Sequence, residues 1–378
     1  MHAVLFLVVT ASAISRFHSL QPIWSFMKRM RISLFLVFSL CQIVSCSKHD
    51  ESSGIIVYCD SSKAVELDPL NDNRFSSVDL NPVPLKFPDH VVINDDGTFF
   101  LKTSDTLFRY SLSDGHRVGT YSRRGRALNE FVRLSSYSID QDSLYLYDSS
   151  SKKVLIFNIN DSYPSRVIQN AGGDAFFEAI ERVEDSSWVG KRIGGMPDVP
   201  ELGLYDNEFK FITTIGERTL RSGLGIGHPF SRNGEGALFT MAYSNDVQQI
   251  TSENCYVKYR IRYTEGTLDP DNYNDEYEMN QDRLVRQKAG DSFSCLPARI
   301  IDDDQYLTFI YLNYFGGVEY TMYAVYDKRR NECKCFRILS PEDWTVFMIR
   351  HNETVYCFAY YDGGFRVYSL PFISLIKQ

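Results

Sequence analysis

The chain has 378 residues, of which 44% are hydrophobic and 14% aromatic, so it can bury a large core and is neither disordered nor collagen-like. Its formal net charge is −8. Because nucleic-acid binding depends on neutralising phosphates with Lys and Arg, this acidic balance excludes nucleic acid as a partner.

The first 45 residues predict a lipoprotein signal peptide. Met27 to Arg31 is a basic segment, Ile32 to Val44 is an apolar run, and Cys46 follows Ile43-Val44-Ser45. At ~1.5 Å per residue the apolar run reaches only ~20 Å, which is short of the ~30 Å bilayer core and favours a cleaved signal. The segment resembles the lipobox of bacterial lipoproteins, in which the cysteine is acylated. An uncleaved anchor and an ordinary secretory signal are the alternatives.

The signal divides the chain into three parts. We expect residues 1–45 to be an upstream extension, from a misassigned start, followed by the signal peptide. We expect residues 46–54 to be a polar tether. Residues 55–378 are then left for a folded domain.

A polar turn between two apolar strands recurs six times in this domain. The turns begin at spacings of 46, 44, 48, 70 and 48 residues, at Asn94, Asp140, Glu184, Arg232, Asp302 and Arg350. Since a four-stranded blade needs ~40 to 50 residues, the repeat predicts an all-β fold, a six-bladed β-propeller.

Two features interrupt or precede the repeat. The long interval predicts a polar insertion at about 263–291, in the fourth blade region, with a short charged helix between Asp275 and Gln287. The apolar strand Ile55–Cys59 comes before the first blade. Because an open sheet edge invites aggregation, we expect this N-terminal strand to close the ring by completing the last blade, Val355 to Leu370.

The connection between the first two repeats carries a family resemblance. Residues 125–131 read GRALNEF, which is similar to the Gly-x-Gly-Pro-Gly-Glu-Tyr linker of the six-bladed β-propeller lipoproteins of gut Gram-negative anaerobes. Only Gly125, Glu130 and the aromatic Phe131 match, but lipobox, tether and six blades extend the resemblance over the mature chain. It implies an NHL- or TolB-like propeller in an outer membrane lipoprotein, on the periplasmic or surface face. It implies no particular reaction.

Two histidines share one position of the repeat. His90 and His228 each lie four residues before a turn, in the first and fourth repeats, which are opposite in a ring of six. Because the innermost strands begin at the channel mouth, where propellers usually bind ligands, we expect the two imidazoles to face each other across it, within about 10 to 15 Å. Glu178 and Arg299 lie nearby in the same register. Such groups can bind a ligand or act as acid and base, whereas a simple strand cap is the alternative.

A basic cluster lies on the connection between the first two blades. Arg123, Arg124 and Arg126, together with Glu130, suit a clamp for the carboxylate of a uronic acid or of a peptide terminus. A solvated loop is the alternative.

The cysteines of the mature chain do not form a dense framework. Besides Cys46 they are Cys59, Cys255, Cys295, Cys333, Cys335 and Cys357. They are too widely spread for a disulfide-stapled scaffold. Cys333 and Cys335 share a face of a probable strand, but one Cys-x-Cys pair is a weak metal signal, so we expect buried or free thiols, no metal site and no cofactor.

Enzyme signatures are absent from the sequence: it contains no nucleophile elbow, zinc-protease helix, phosphate-binding glycine loop or EF-hand spacing. The sequence therefore favours a non-catalytic binding or interaction module with a lipid anchor, which takes a saccharide, peptide or protein partner at the channel mouth. The alternative is a lyase or hydrolase that acts on an acidic saccharide. That activity would need His90, His228 and Glu178 to converge with an arginine.

Overall fold

A computed structural model describes residues 54–84, 88, 90–121, 124–192, 202–215, 228–240, 244–268, 272–274, 276–341, 344–361 and 364–377. The predicted signal peptide, Cys46 and nearly all of the tether lie outside these residues, as does Arg123. Within the described ranges, none of the helices has both the length and the apolar character needed to cross a membrane.

Three strands precede the first blade. They are β1 (Ile55–Cys59), β2 (Val65–Leu67) and β3 (Ser76–Asp79), and a turn of 3-10 helix at Ser61–Lys63 separates the first two.

The first three blades are antiparallel sheets of four consecutive strands each. Blade 1 contains β4 (His90–Ile93), β5 (Thr98–Thr103), β6 (Thr106–Ser111) and β7 (Arg117–Tyr121). Blade 2 contains β8 (Leu134–Asp140), β9 (Ser143–Asp148), β10 (Lys153–Asn158) and β11 (Arg166–Ile168). Blade 3 contains β12 (Phe177–Glu184), β13 (Ser187–Arg192), β14 (Leu202–Tyr205) and β15 (Phe211–Thr214).

The last three blades take up the N-terminal strands as well as their own. Blade 4 contains β16 (Phe230–Asn233), β17 (Gly236–Thr240), β18 (Asp246–Ile250) and β19 (Cys255–Tyr263). Blade 5 contains β20 (Phe293–Asp302), β21 (Tyr306–Phe315), β22 (Val318–Asp327) and β23 (Glu332–Ile338). Blade 6 contains β24 (Thr345–His351), β25 (Thr354–Tyr361) and β26 (Gly364–Pro371). Helix α1 (Glu276–Ala289) lies between β19 and β20, and helix α2 (Phe372–Ile376) follows β26.

The repeat in the sequence corresponds to the blades. Each of the six predicted turns connects the first and second strands of one blade, as between β4 and β5 or between β24 and β25. The prediction of an all-β, six-bladed propeller is therefore confirmed.

The ring is closed by an N-terminal strand, but by a different one from that expected. β3 pairs antiparallel with β26, with Val78 opposite Val367, and so supplies the fourth strand of blade 6. β1 instead runs parallel to β19 as the outermost strand of blade 4, and β2 runs parallel to β23 in blade 5. The assignment of Ile55–Cys59 to the last blade is therefore wrong.

The physical reason lies in what β1 buries. Val57 and Cys59 are fully buried in the apolar layer between blades 4 and 5, where they pack with Tyr259 and Ile261. Alternating apolar residues fit the outer edge of any blade, so the pattern alone does not choose between them.

Apolar side chains fill the six interfaces between neighbouring blades. One core forms at each interface, including the interface between blades 6 and 1, where Phe347 and Phe358 pack against Val91 and Phe99. Because each blade buries both of its faces in this way, the polar side chains that point inward are left to line the axis.

The predicted insertion contains the expected helix. Helix α1 covers Glu276–Ala289, close to the predicted Asp275 to Gln287. Its buried Met279 joins Leu268, Phe293 and Tyr314 in a small core on blade 5. The rest of the helix is mostly polar, so it packs through one narrow side.

Candidate functional site

Two cavities lie along the axis of the ring, and side chains from all six blades line each of them. The upper cavity, at the start of the innermost strands, has a volume of about 580 Å³. The lower cavity, towards their ends, has a volume of about 330 Å³. His90, His228 and Arg299 line both cavities and so form the waist between them.

The two imidazoles of the waist are stacked. Their ring centroids lie 3.9 Å apart and their planes differ by 1°. This distance is well inside the expected limit of about 10 to 15 Å. His90 begins β4 and His228 lies two residues before β16, so both side chains extend to the axis and meet there.

Hydrogen bonds fix the tautomer of His228. Its Nδ1 donates to the carbonyl of Phe230 at 3.1 Å, which leaves Nε2 to accept from the hydroxyl of Ser136 at 3.3 Å. The Ser136 hydroxyl also accepts from the Ile180 N–H at 3.1 Å. Nδ1 of His90 has no hydrogen-bond partner among the described residues, and the ring packs against those of His228 and Tyr137.

Burial keeps both histidines neutral. It lowers the pKa of His228 to about 4, although hydrogen bonds to backbone groups oppose this effect. Burial also lowers the pKa of His90 well below its usual value, and the nearby charges of His228, Arg299 and Lys102 lower it further. Two neutral rings can stack closely, whereas two imidazolium cations would repel each other.

Arg299 reaches the waist from an irregular part of β20. The pairing of β20 with β21 shifts register on both sides of Ala298, and Arg299 has a left-handed backbone with φ of 52°. Such bulges re-aim side chains and recur beside functional sites. The guanidinium lies over the Phe347 ring, 3.8 Å from its centroid.

The Arg299 cation has no counter-ion among the described residues. Burial lowers its pKa to about 10, so it remains charged near neutral pH. Across the described part of the chain, its guanidinium makes no hydrogen bond and no ion pair. A charge of this kind, surrounded by protein but facing a cavity, favours an anion in that cavity.

Three other charged residues line the upper cavity, namely Lys102, Glu178 and Glu319. Lys102 lies opposite His90 in the hairpin of β4 and β5. Glu178 shares the cavity, but its carboxylate is paired with Lys191 at 3.0 Å. Glu319 lies 3.8 Å from the guanidinium of Arg283. Among the described residues, Arg299 is therefore the cavity charge at the waist for which no counter-ion is found.

The lower cavity contains an unusual carboxyl group. Burial raises the pKa of Glu181 to about 7, although its hydrogen bond from Ser138 at 2.5 Å and the charge of Arg232 act in the opposite direction. A carboxyl group with this pKa can both donate and accept a proton near neutral pH.

The structure separates the predicted site residues into two groups. His90, Glu178, His228 and Arg299 line the upper cavity. Arg124, Arg126 and Glu130 do not line either cavity; Arg124 is largely exposed and lies 3.6 Å from Asp105, and Glu130 accepts from the Ala127 N–H at 3.0 Å. A binding role for either group stays a prediction.

Three residues of the axis were not singled out by the sequence. Ser136 occupies the position of His90 and His228, four residues before its own turn, so aligning the six repeats would have found it. Lys102 is the hairpin partner of His90. Glu181 follows Glu178 by three residues on β12, and only burial distinguishes it from an ordinary strand carboxylate.

Comparisons with solved structures give a likeness of fold. A protein described as exported from Bacteroides fragilis is 12% identical, has a TM-score of 0.58, and is matched over 78% of this chain and 88% of that one. The extracellular domain of a one-component system from B. thetaiotaomicron is 12% identical with a TM-score of 0.38, over 79% of this chain and 40% of that one. Glutaminyl cyclase from Myxococcus xanthus is 12% identical with a TM-score of 0.36, over 76% of this chain and 100% of that one.

No curated protein matches the chain. A family model does: DUF5128, described as a 6-bladed beta-propeller, matches residues 46–343. This match spans well over half of the sequence and agrees with the six sheets. The chain therefore belongs to the DUF5128 family of six-bladed β-propellers.

Proposed function

We propose that the protein is a binding module that takes a small anionic ligand in the upper cavity. The observation that carries this proposal is Arg299, a cation in the waist without a counter-ion among the described residues. A ligand carboxylate would supply the missing charge and accept two parallel N–H bonds from the planar guanidinium.

The neighbouring residues suit such a ligand. Phe347 lies against one face of the guanidinium and restricts its orientation. The neutral imidazole pair adds no charge, and the two acids of the cavity, Glu178 and Glu319, lie near cations of their own, Lys191 and Arg283. A volume of about 580 Å³ falls in the range of small-molecule sites, so a sugar acid is a suitable size.

The test is titration calorimetry with D-glucuronate, with D-glucose as the uncharged control. We expect heat from glucuronate alone and a loss of affinity of at least about tenfold in Arg299→Met, since a charge-assisted pair contributes about 1.5 to 3 kcal/mol. Arg330→Met, at an exposed position outside the cavities, is the matched control and should bind as the wild type does. Equal affinity for the two sugars, or full binding by Arg299→Met, would contradict the proposal.

We also propose that the module is anchored in the cell envelope as a lipoprotein through Cys46. The support is the signal-like segment before Cys46 and the polar tether after it. Multi-chain acylation gives stable anchoring where a single chain does not. Radiolabelled fatty acid should label the wild-type protein but not Cys46→Ala, and undiminished label in the variant would refute the anchor.

A lyase or hydrolase acting on an acidic saccharide is the second candidate. Glu181 favours it, because a carboxyl group with a pKa near 7 at the axis suits general acid–base catalysis. Incubation with a polyuronate tests this candidate. The appearance of unsaturated products or reducing ends, and their loss in Glu181→Gln, would favour an enzyme; binding without turnover would leave the binding module.

A further inference from the structure

Three cysteines meet at the outer edge where blades 4 and 5 adjoin. Cys59 ends β1, and Cys333 and Cys335 lie on β23. Their sulfur atoms all lie within 4.8 Å of one another, and the sulfurs of Cys59 and Cys333 are 3.7 Å apart. All three are free thiols.

We propose that Cys59, Cys333 and Cys335 bind one soft metal ion, Zn²⁺ or Cu⁺, through their three sulfur atoms. Thiolates are the protein ligands that these two ions prefer. This site is independent of the ligand proposed for the channel, because the two share no residue.

The spacing of the sulfurs fits a metal ion. With Zn–S bonds of about 2.3 Å, tetrahedral geometry places neighbouring sulfurs about 3.8 Å apart. The distance between Cys59 and Cys333 agrees with this value. It is far from the ~2.05 Å of a disulfide bond.

The strands hold the cluster together. Cys333 and Cys335 are two residues apart on one strand and therefore point to the same face. The chain leaves blade 4 at Cys59, passes through Ser61–Lys63, and joins blade 5 as β2, which pairs with β23 at Phe336. This crossing brings Cys59 over β23.

The surroundings of the cluster suit a bound ion. Cys59 and Cys335 are buried, while Cys333 is partly exposed and gives an ion a route of entry. Tyr311 lies with Cys59 and Cys335 in the same buried cluster, so the two inner sulfurs are shielded from solvent.

The number of ligands limits the geometry. Among the described residues, no fourth His, Cys, Asp or Glu joins the group. Three sulfurs alone suit Cu⁺, whereas Zn²⁺ would add a solvent molecule or another external ligand. Either ion would tie the N-terminal segment of blade 4 to blade 5.

The experiment uses the full chain, reduced and handled without oxygen. Zn²⁺ and Cu⁺ are titrated separately in competition with chromophoric chelators. We expect one equivalent of ion to bind, and a loss of affinity of about 100-fold or more in Cys335→Ser, because a ligand sulfur is removed. Cys255→Ser is the matched control, since Cys255 is on blade 4 but outside the cluster, and it should bind like the wild type.

A second measurement needs no variant and so does not depend on a variant folding. The wild-type chain is alkylated with iodoacetamide with and without the ion, and the modified peptides are identified by mass spectrometry. The ion should protect Cys333, the partly exposed cysteine of the cluster, but leave Cys255 as reactive as before. An unprotected Cys333, or a Cys59–Cys333 disulfide in protein isolated without reductant, would overturn the proposal.

Discussion

The waist of the channel and the outer edge of blades 4 and 5 each bring distant residues together, but by different routes. At the waist, His90 and His228 occupy the same position of two opposite blades. At the edge, Cys59 reaches Cys333 across 274 residues because β1 and β2 pass from one blade to the next. The repeat therefore places the histidines of the waist, whereas β1 and β2, which precede the repeat, bring Cys59 to the edge.

The two places also differ in the charge that they leave unbalanced. Burial makes the imidazoles neutral at the waist and leaves the Arg299 cation without a described counter-ion, so the waist favours an anion. At the edge, three sulfur atoms converge, and their thiolates would add negative charge and favour a soft metal cation. The same propeller can thus offer a site for an anion at its axis and a site for a cation at its outer edge.

The largest expected effect is stabilisation of the edge by metal. At a free ion concentration of 1,000 times Kd, binding to the folded state alone adds about 4 kcal/mol to the free energy of unfolding. We expect this gain in wild type and in Arg299→Met, but not in Cys335→Ser, when unfolding is followed in urea. A gain that disappears in Arg299→Met would show that the two places are coupled.

Acid should weaken the waist and leave the edge unchanged. The pKa of His228 is about 4 in the folded chain against a usual 6.5, so between these values the unfolded chain takes up a proton that the folded chain refuses. The free energy of unfolding should therefore fall by about 3 kcal/mol for this group as the pH drops from 6.5 to 4. Above pH 6.5 the contribution of His228 to the free energy of unfolding is retained.

His228→Gln should remove this part of the pH dependence, measured by urea unfolding at several pH values. His116→Gln, at an exposed position, is the control and should keep it, as should Cys335→Ser. An unchanged pH dependence in His228→Gln would mean that His228 does not resist protonation in the folded chain.

The repeat register explains how much of the waist is predictable. A turn every 46 residues or so fixes which residues begin innermost strands, and from this the common position of His90 and His228 follows. The 3.9 Å stack does not follow, because the width of the waist depends on side-chain packing. The direction of the Arg299 side chain cannot be predicted from the sequence either, because the bulge that sets it has no residue pattern of its own.

The edge is less predictable because pairing between distant strands is weakly encoded. The alternation of Val57 and Cys59 fits the outer edge of any blade. The strand that closes the ring, Ser76–Asp79, has only Val78 as an apolar residue and gives no clear strand signal. Such a strand is formed by the neighbour that it pairs with rather than by its own composition.

The smallest expected effect is the loss of unfolding free energy when one serine hydroxyl is removed, compared between the waist and the edge. At the waist, Ser136 accepts from the Ile180 N–H and donates to Nε2 of His228. Ser136→Ala leaves both buried groups without that partner, which should cost about 1 to 3 kcal/mol of unfolding free energy. At the edge, Ser61 donates to Glu265 at 2.5 Å and accepts from the Tyr311 hydroxyl at 2.9 Å. Two other side chains also donate to the same Glu265 oxygen, so Ser61→Ala leaves only the Tyr311 hydroxyl without that partner. Ser61→Ala should therefore cost less, about 1 kcal/mol or below.

Urea unfolding of both variants at pH 7 measures the difference. If Ser61→Ala proves the more costly, the waist does not depend on the Ser136 hydroxyl as its geometry indicates.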